Sequence, residues 1–209
     1  MLFLRTGLRL LKSNQSIMKR NIAPGDLPGF FPCPVVLLSS FNAEGRPNVC
    51  TVSWIGVVCS EPPSLGVGLR RERLSYKNIT RIGGFVINIP SRDLLDVVDS
   101  CGYISGTAVD KLEKYGLSYS VGSVVNGPVI TECPYNLECS VRTSYELGSH
   151  DLLIAEIVCI HAEGSIVKDG ADYPRIDFSI IKPVLLCVDE YWAIGDYLNN
   201  IGFSIETNR

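Results

Sequence analysis

The feature of this sequence that most limits its possible folds is a succession of short apolar or β-branched runs separated by turn residues. The run at 35–41, for example, is followed by Asn42-Ala-Glu-Gly-Arg-Pro-Asn48, whose residues favour a reversal of the chain. Strands are predicted at 35–41, 49–58, 65–69, 85–89, 137–145, 152–166 (with a bulge at Gly164) and 183–188. Because so many strands with few long helices must hide their edges, the pattern predicts a mainly β fold, an antiparallel barrel.

Three short helices are predicted between these strands. Ser75 is expected to cap a helix that runs to Arg81, with Gly83 as its left-handed terminator. Ser91 is expected to cap a second helix that runs to about residue 100. A third helix is expected to begin at or beside Thr107 and to end at Gly116.

The charge balance and the apolar pattern exclude several classes of protein. A net charge of -3 argues against a general nucleic-acid binder, which needs a basic field to neutralise phosphates. The densest apolar stretch, 152–160, is interrupted by Glu156 and falls well short of the roughly 18 residues of a membrane-spanning helix. We therefore expect a soluble protein that binds neither nucleic acid nor membranes.

The 8 cysteines are scattered along the chain without a C-x-x-C pair. Since His150 and His161 are the only histidines, no metal site is predicted. Most of the cysteines have aliphatic or β-branched neighbours, where cysteine behaves as a small hydrophobe; partial exposure is considered only for Cys101, beside a glycine-rich turn. We expect buried free thiols in a reducing compartment, the cytoplasm.

The segment 1–23 differs in composition from the rest of the chain. Basic residues alternate there with leucines, and the first acidic residue is Asp26. The segment is expected to be a flexible, dispensable extension; an organelle-targeting helix is the alternative. Without an internal repeat or a linker-like tract, residues 24–209 are expected to form one domain.

Three segments combine hydroxyl groups, cations and flexible backbone in apolar surroundings. The segment 48–54 alternates at strand period and places Thr51 and Ser53 on one face. The segment 69–78 places arginines just before a helix N-terminus, a combination that binds phosphate, and the segment 101–111 adds glycines, hydroxyls and a lysine. Each segment alone also fits an ordinary half-exposed strand or a solvated turn. Together they suit a flat polar cofactor with one phosphate; FMN, pyridoxal phosphate and a phosphosugar all remain possible.

Recognisable motifs cover most of the chain after residue 24. They are Pro34-Val-Val-Leu-Leu-Ser-Ser, Pro47-Asn48 with Thr51-Val-Ser53-Trp54, Pro62-Pro63 leading to Leu69-Arg70, Arg73-Leu-Ser75 with Asn78-Ile79, Phe85-Val-Ile-Asn88-Ile-Pro90, Cys101-Gly102 through Ser105-Gly106 to Asp110-Lys111, Asn136-Leu-Glu138-Cys139 and Gly148-Ser-His150-Asp151. In this order they resemble the flavin reductase-like family of FMN-binding split β-barrels, and its flavoredoxin-type branch in particular.

The resemblance implies a homodimeric split β-barrel of Greek-key type that binds FMN noncovalently at or near the subunit interface. The segment 48–54 would follow the ring and ribityl chain, the segment 70–78 would hold the phosphate end, and the segment 105–111 would approach from the other side. The residues expected to contact FMN are Asn48, Thr51, Val52, Ser53, Trp54, Arg70, Ser75, Asn78, Ser105, Gly106 and Lys111.

The resemblance also implies an oxidoreductase that moves hydride or electrons from NAD(P)H to an acceptor through the flavin N5 atom. No catalytic side chain is obligatory for this chemistry. The family's glycine–aspartate–histidine motif has its last two residues in the order His150, Asp151 here, so His150 is either a substrate contact or a structural turn residue. Trp54 either stacks on the ring or belongs to the core or dimer interface, and His161 is expected to be structural. Two alternatives remain: an electron carrier reduced by a redox protein, and a non-catalytic ligand-binding module.

Overall fold

The computed structural model describes residues 19–26, 30–170 and 174–204. Its strands are β1 (Cys33–Pro34), β2 (Val36–Phe41), β3 (Pro47–Val52), β4 (Ile55–Ser60), β5 (Pro63–Leu69), β6 (Gly84–Ile89), β7 (Tyr119–Val121), β8 (Pro128–Ile130), β9 (Tyr135–Glu146), β10 (Asp151–Ala162), β11 (Val167–Lys168), β12 (Arg175–Ile176), β13 (Val184–Cys187) and β14 (Glu190–Ala193). Its helices are α1 (Leu74–Ile82), α2 (Leu95–Tyr103), α3 (Lys111–Tyr115) and α4 (Phe178–Ile181), with 3-10 helices at Arg92–Leu94 and Gly164–Ile166. The prediction of a mainly β chain is confirmed. The predicted N-terminal extension falls outside the described residues up to residue 18, and residues 19–23 are exposed.

Seven strands form one antiparallel sheet in the order β3-β2-β6-β9-β10-β5-β4. The long strands β9 and β10 lie at its centre and pair along most of their length. Strands β3 and β4 are its two edges, and within the described ranges no ladder of hydrogen bonds joins them. The antiparallel prediction is therefore confirmed, whereas closure into a barrel is not seen in the strand pairing.

The single strand predicted at 49–58 is wrong, because two strands occupy this stretch. β3 ends at Val52 and β4 begins at Ile55. β3 pairs with β2 and β4 pairs with β5, so the chain passes from one edge of the sheet to the other at Ser53 and Trp54. Sequence alternation could not show this change of partner.

Three further boundaries differ from the sequence-based expectations. The cap of α1 is Arg73, and Ser75 lies buried inside the helix. The third helix begins only at Lys111, because the Asp110 side chain accepts hydrogen bonds from the first free N–H groups. The last long strand ends at Ala162, and its irregularities lie near 154–155 and 157–159 rather than at Gly164. The elements that the sequence did not indicate are short: β1, β7, β8, β11, β12, β14 and α4.

Local chemistry explains the elements that were predicted correctly. The Asn42 side chain accepts hydrogen bonds from the backbone N–H groups of Glu44 (3.0 Å) and Arg46 (2.8 Å), which fixes the turn between β2 and β3. Gly83 ends α1 in the left-handed conformation, with φ 79°, and its N–H bonds to the helix. Ser91 caps the 3-10 helix that leads into α2, as predicted for that helix start.

Two apolar clusters pack on the sheet. One lies between the strands and α1 and includes Val67, Phe85 and Leu153. The other lies between β2, β3 and the helices α2 and α3, and includes Leu37 and Val98. Edge strand β3 is therefore flanked by α1 on one side and by α2 and α3 on the other, which brings three polar segments of the chain to the same place.

Candidate functional site

Two adjoining cavities run along β3, and together they are called the β3 groove. The helix-side cavity, of about 370 Å³, lies at the start of α1, and the tryptophan-side cavity, of about 140 Å³, lies at the end of β3. Cys50, Arg70 and Arg73 line both of them, so the two are parts of one depression.

Most of the predicted binding residues line this groove. The helix-side cavity contains six of them: Asn48, Arg70, Ser75, Ser105, Gly106 and Lys111. The tryptophan-side cavity contains Thr51, Val52, Ser53, Trp54 and again Arg70, together with His150. The segments around 70 and 105, which are distant in sequence, thus face each other across the first part of β3, at Asn48 and Cys50.

Asn78 is the predicted residue that the described structure does not bring to the groove. It is buried on α1, and its side-chain N–H donates to the Ser40 hydroxyl at 3.2 Å. One helical turn earlier, Ser75 accepts a hydrogen bond from the Asn48 side chain at 2.8 Å. Asn78 therefore ties α1 to β2, and the Asn48–Ser75 pair ties the helix to β3 at the floor of the groove.

The helix-side cavity has the features of an anion site. Arg73 is the N-cap of α1 and makes no side-chain cap, and the first turn contains no acidic residue, so its backbone N–H groups are not neutralised locally. Arg70, Arg73 and Lys111 add three cationic side chains around the same space. Helix N-termini and guanidinium groups are the usual ligands of phosphate in proteins.

Lys111 contributes its charge from a buried position. It is 3% exposed, and its Nζ atom donates to the carbonyl groups of Cys101 (3.3 Å) and Ile104 (3.2 Å). Burial lowers the pKa of this ammonium group, which therefore gains from any anion that enters the cavity.

A very close backbone approach joins the glycine-rich segment to β3. A Cβ atom added to Gly106 would lie 2.0 Å from Asn48 Oδ1 and 3.0 Å from a methyl group of Leu74. The absence of a side chain at Gly106 is therefore what lets the segment reach the floor of the groove.

The tryptophan-side cavity combines an aromatic surface with an imidazole. Trp54 is half exposed, and its ring centroid lies 4.2 Å from that of His150 at an angle of 40°. Burial lowers the pKa of His150 and Arg70 lowers it further, against the opposing charge of Glu72, so the neutral form of the ring is favoured. Ser149 Oγ lies 2.9 Å from His150 Nδ1, which leaves Nε2 for a ligand.

The Thr51 hydroxyl is used differently from the expectation. It donates to the Val98 carbonyl and so ties β3 to α2. Sequence alternation placed Thr51 and Ser53 on the binding face, but Asn48 and Cys50, on the other face, also line the groove. Because β3 is an edge strand, a cavity at its open side is reached from both faces.

Several groove residues were not among the predicted contacts, and two of them, Cys50 and Arg73, line both cavities. Cys50 is buried, and burial raises the pKa of its thiol, so it contributes an uncharged surface. Arg73 was noticed only as part of a motif; its place at the N-terminus of α1 would have singled it out once the helix start was known.

A second polar cluster lies away from the groove, at Glu138, Cys159 and His161. One potential metal-ligating atom from each lies within 4.8 Å of the others. The Glu138 oxygens, however, already accept hydrogen bonds from three backbone N–H groups and from His161 Nε2 at 2.6 Å. This hydrogen bonding accounts for the cluster, and it gives His161 a structural role.

Cys101 lies under the groove and is fully buried, so the partial exposure considered from the sequence is not found. All 8 cysteines are free thiols, and Cys59 is the exposed one. Each helix in the described part of the chain is too short or too polar to span a bilayer.

Comparison with known proteins gives a consistent result. Residues 29–179 match the model of the flavin reductase like domain. An uncharacterized protein of Archaeoglobus fulgidus is 35% identical over 136 residues, which are 65% of this chain and 75% of the relative.

Two solved structures are similar over nearly the whole chain. The flavoredoxin of Desulfovibrio vulgaris (Miyazaki F) has a TM-score of 0.81 and 31% identity, covering 90% of this chain and 99% of its own. The flavoredoxin from Methanosarcina acetivorans has a TM-score of 0.79 and 28% identity, covering 90% of this chain and 97% of its own.

Proposed function

We propose that the chain, which belongs to the family of flavin reductase-like domains, is an oxidoreductase that binds FMN noncovalently in the β3 groove. The observation that carries this proposal is the convergence of Arg70, Arg73, Lys111 and the N-terminus of α1 on one cavity beside Trp54. An anion site that adjoins an aromatic slot suits a flat cofactor with a phosphate tail.

The donor set of the groove fits this group. Its phosphate end would be held by Arg70, Arg73 and the first N–H groups of α1, with Ser105 and Lys111 opposite. The ring would lie against residues 51–54, which line the tryptophan-side cavity where β3 ends. The helix-side cavity alone falls within the volume of typical cofactor sites, roughly 300–1,000 Å³.

Bound FMN would supply a hydride acceptor at N5 and a path for electrons to a second substrate. The chain's own residues would bind and orient it. Trp54 would shield one side of the slot from water, and neutral His150 would present Nε2 to a second substrate without adding positive charge. Lys111, which the fold holds in a buried position, would stabilise negative charge in the groove without moving.

We propose NAD(P)H as the electron donor, because the family is one of flavin reductases. A carrier that takes electrons from a redox protein is the second candidate, and two solved flavoredoxins that resemble this chain favour it. A module that binds another ligand without catalysis is the third.

The experiment is an anaerobic titration of the purified protein. Addition of FMN should give a protein-bound flavin spectrum and quenched flavin fluorescence, and NADH or NADPH should then bleach the absorbance within seconds. Slow bleaching by both nucleotides, but fast bleaching by a reduced ferredoxin, would identify the carrier. A protein that cannot be loaded with FMN would falsify the proposal.

We further propose that two copies of the chain pair through edge strand β4 and that the coiled sheet is a split barrel. Val57 and Val58, at 77% and 54% exposure, lie on this unpaired edge next to Trp54, and such an edge is normally covered. Val57→Glu should convert a dimer to a monomer in sedimentation experiments, and Val121→Glu, at an exposed valine of β7, should not. A monomeric wild-type protein would contradict the proposal.

The remaining expectations are proposals as well. Residues 24–209 would form one domain, and the free thiols are compatible with a cytoplasmic location. Cell fractionation with and without residues 1–23 would distinguish a dispensable extension from a targeting signal.

A further inference from the structure

The segment 70–76 runs from the end of β5 into the first turn of α1 and carries two of the three cations of the helix-side cavity, Arg70 and Arg73. Ahead of the helix its backbone forms a turn: Arg73 N–H donates to the Arg70 carbonyl at 3.1 Å, and Lys77 N–H donates to the Arg73 carbonyl at 3.3 Å. Side-chain contacts then tie this turn to the sheet.

Asp151 supplies contacts at both ends of this segment. Arg71 Nε donates to Asp151 Oδ1 at 2.7 Å, and the Tyr76 hydroxyl donates to Asp151 Oδ2 at 2.6 Å. Asp151 is 3% exposed and opens β10, where it pairs with Leu69 on β5. The carboxylate is thus anchored in the sheet, while its two oxygens bind residues on either side of Arg73.

The same contacts separate the roles of the three arginines. Arg71 is bound by Asp151 and, through Nη2 at 3.1 Å, by Glu146, so its charge is already balanced. Arg70 and Arg73 line the cavity instead, where Glu72, 3.8 Å from Arg70 Nη1, is the one carboxylate beside them in the described part of the chain. Asp151 itself lines neither cavity of the groove.

Resting on the proposed function, we propose that Asp151 is a positioning residue for phosphate binding: it fixes the segment 70–76 so that Arg73 and the N-terminus of α1 face the phosphate of FMN. Asp151 itself would touch no part of FMN. Its effect should fall mainly on the phosphate end, because Leu74 and Ser75, at the start of α1, line only the helix-side cavity, whereas Arg70 and Arg73 border both cavities.

The protonation states support this geometry. The Tyr76 hydroxyl and Arg71 lower the pKa of Asp151, and the carboxylate in turn raises the pKa of Tyr76. At neutral pH the aspartate is therefore ionised, and both of its partners keep the protons that they donate.

The first test needs no flavin. Trypsin cleaves after arginine, and three arginines lie in the segment 70–73. In the apo protein, Asp151→Asn should accelerate cleavage there about tenfold, because one charged hydrogen-bond acceptor is lost and local opening becomes easier. Tyr76→Phe, which removes one of the two contacts, should accelerate it a few-fold.

The second test separates the phosphate from the ring. Asp151→Asn should raise the Kd of FMN about tenfold and leave the Kd of riboflavin, which lacks the phosphate, within about twofold. Asp177→Asn is the matched control: it removes the charge of another ion-paired carboxylate, which caps α4 and binds Lys168 on β11 at 2.5 Å, and it should change neither Kd nor the cleavage rate.

The outcomes distinguish this inference from the proposed function. If wild-type protein binds neither flavin, the proposed function fails, and trypsin still reports whether Asp151 holds the segment. If Asp151→Asn weakens both flavins equally, or neither, the positioning role is overturned. Should Asp151→Asn not fold, Tyr76→Phe replaces it, with the same FMN-selective loss expected at a smaller size.

Discussion

The β3 groove and the buried network around Glu138 lie three strands apart in one sheet and use similar polar side chains. In the same buried part of the sheet, each polar side-chain atom of Asn88 has a partner inside the protein: the side chain donates to Ser39 and the Leu37 carbonyl and accepts from Ile130 N–H and Asn136. Glu138 likewise accepts from three backbone N–H groups and from a histidine.

In the groove, by contrast, cations and helix N–H groups surround open space. Arg70 and Arg73 face a cavity, and the helix that begins there has neither a side-chain cap nor an acidic first turn. Polar groups with internal partners stabilise the fold, whereas polar groups that converge on a cavity are available to a ligand. Substitutions in the first region should therefore change stability, and those in the second should change binding.

The largest effect is expected for Glu138→Gln. The amide keeps the shape but removes the charge that accepts the N–H groups of Ser123, Val124 and Val125, so the free energy of unfolding should fall by about 3 kcal/mol. Urea denaturation measures this loss, with Glu44→Gln, at an exposed glutamate, as the control. An equally large loss of FMN affinity in the folded variant would contradict the assignment of stability to this region and of binding to the groove.

The pH dependence of stability also tests the contribution of ionised Glu138. Burial would raise the pKa of Glu138, but hydrogen bonds from backbone N–H groups and His161 outweigh it and hold the pKa at about 2, below the 4.5 of an ordinary glutamate. Since the folded pKa is the lower one, its stabilisation is complete above about pH 5 and is lost as the pH falls through 4.5 towards 2. Wild-type protein should lose stability over this range more steeply than Glu138→Gln, as acid titrations followed by circular dichroism would show; parallel curves would contradict the assignment.

The opposite pattern is expected for Arg73→Ala. Removing a guanidinium from the phosphate end should raise the Kd of FMN roughly 10- to 30-fold, or about 1.4–2 kcal/mol, with the unfolding free energy nearly unchanged. Fluorescence titration with FMN and with riboflavin measures the effect, which should be absent for riboflavin. Arg81→Ala, at the exposed far end of the same helix, is the control, and an equal loss there would mean that only general charge matters.

The smallest effect is expected for Gly106→Ala, which tests the boundary between the two kinds of site. The new methyl group would lie 2.0 Å from Asn48 Oδ1, so Asn48 must turn and weaken its bond to Ser75. We expect a loss of about 1 kcal/mol in stability together with a several-fold higher Kd for FMN. Gly164→Ala, where an added Cβ meets nothing within 4 Å, should leave both unchanged.

Much of the site could be predicted because its polar and charged residues lie in short sequence segments. Arginines before a helix, hydroxyls along a strand and glycines beside a lysine are local patterns, and all three segments meet at the groove. Asn78 could not be separated from Ser75 in this way, since one helical turn brings one side chain to β3 and the other to β2. The role of Asp151 was also hidden, because its partners Arg71 and Tyr76 are distant in sequence.

Periodicity and neighbours within a few positions were enough to predict the strand-rich class and the turn at Asn42, and together with the family resemblance they predicted most groove residues. The three-dimensional fold was needed to show that 49–58 is two strands on opposite edges of the sheet, and that Ser75 is a buried partner of Asn48 rather than a helix cap. Strand pairing and the filling of a cavity depend on residues far apart in the chain, and no local pattern records their contacts.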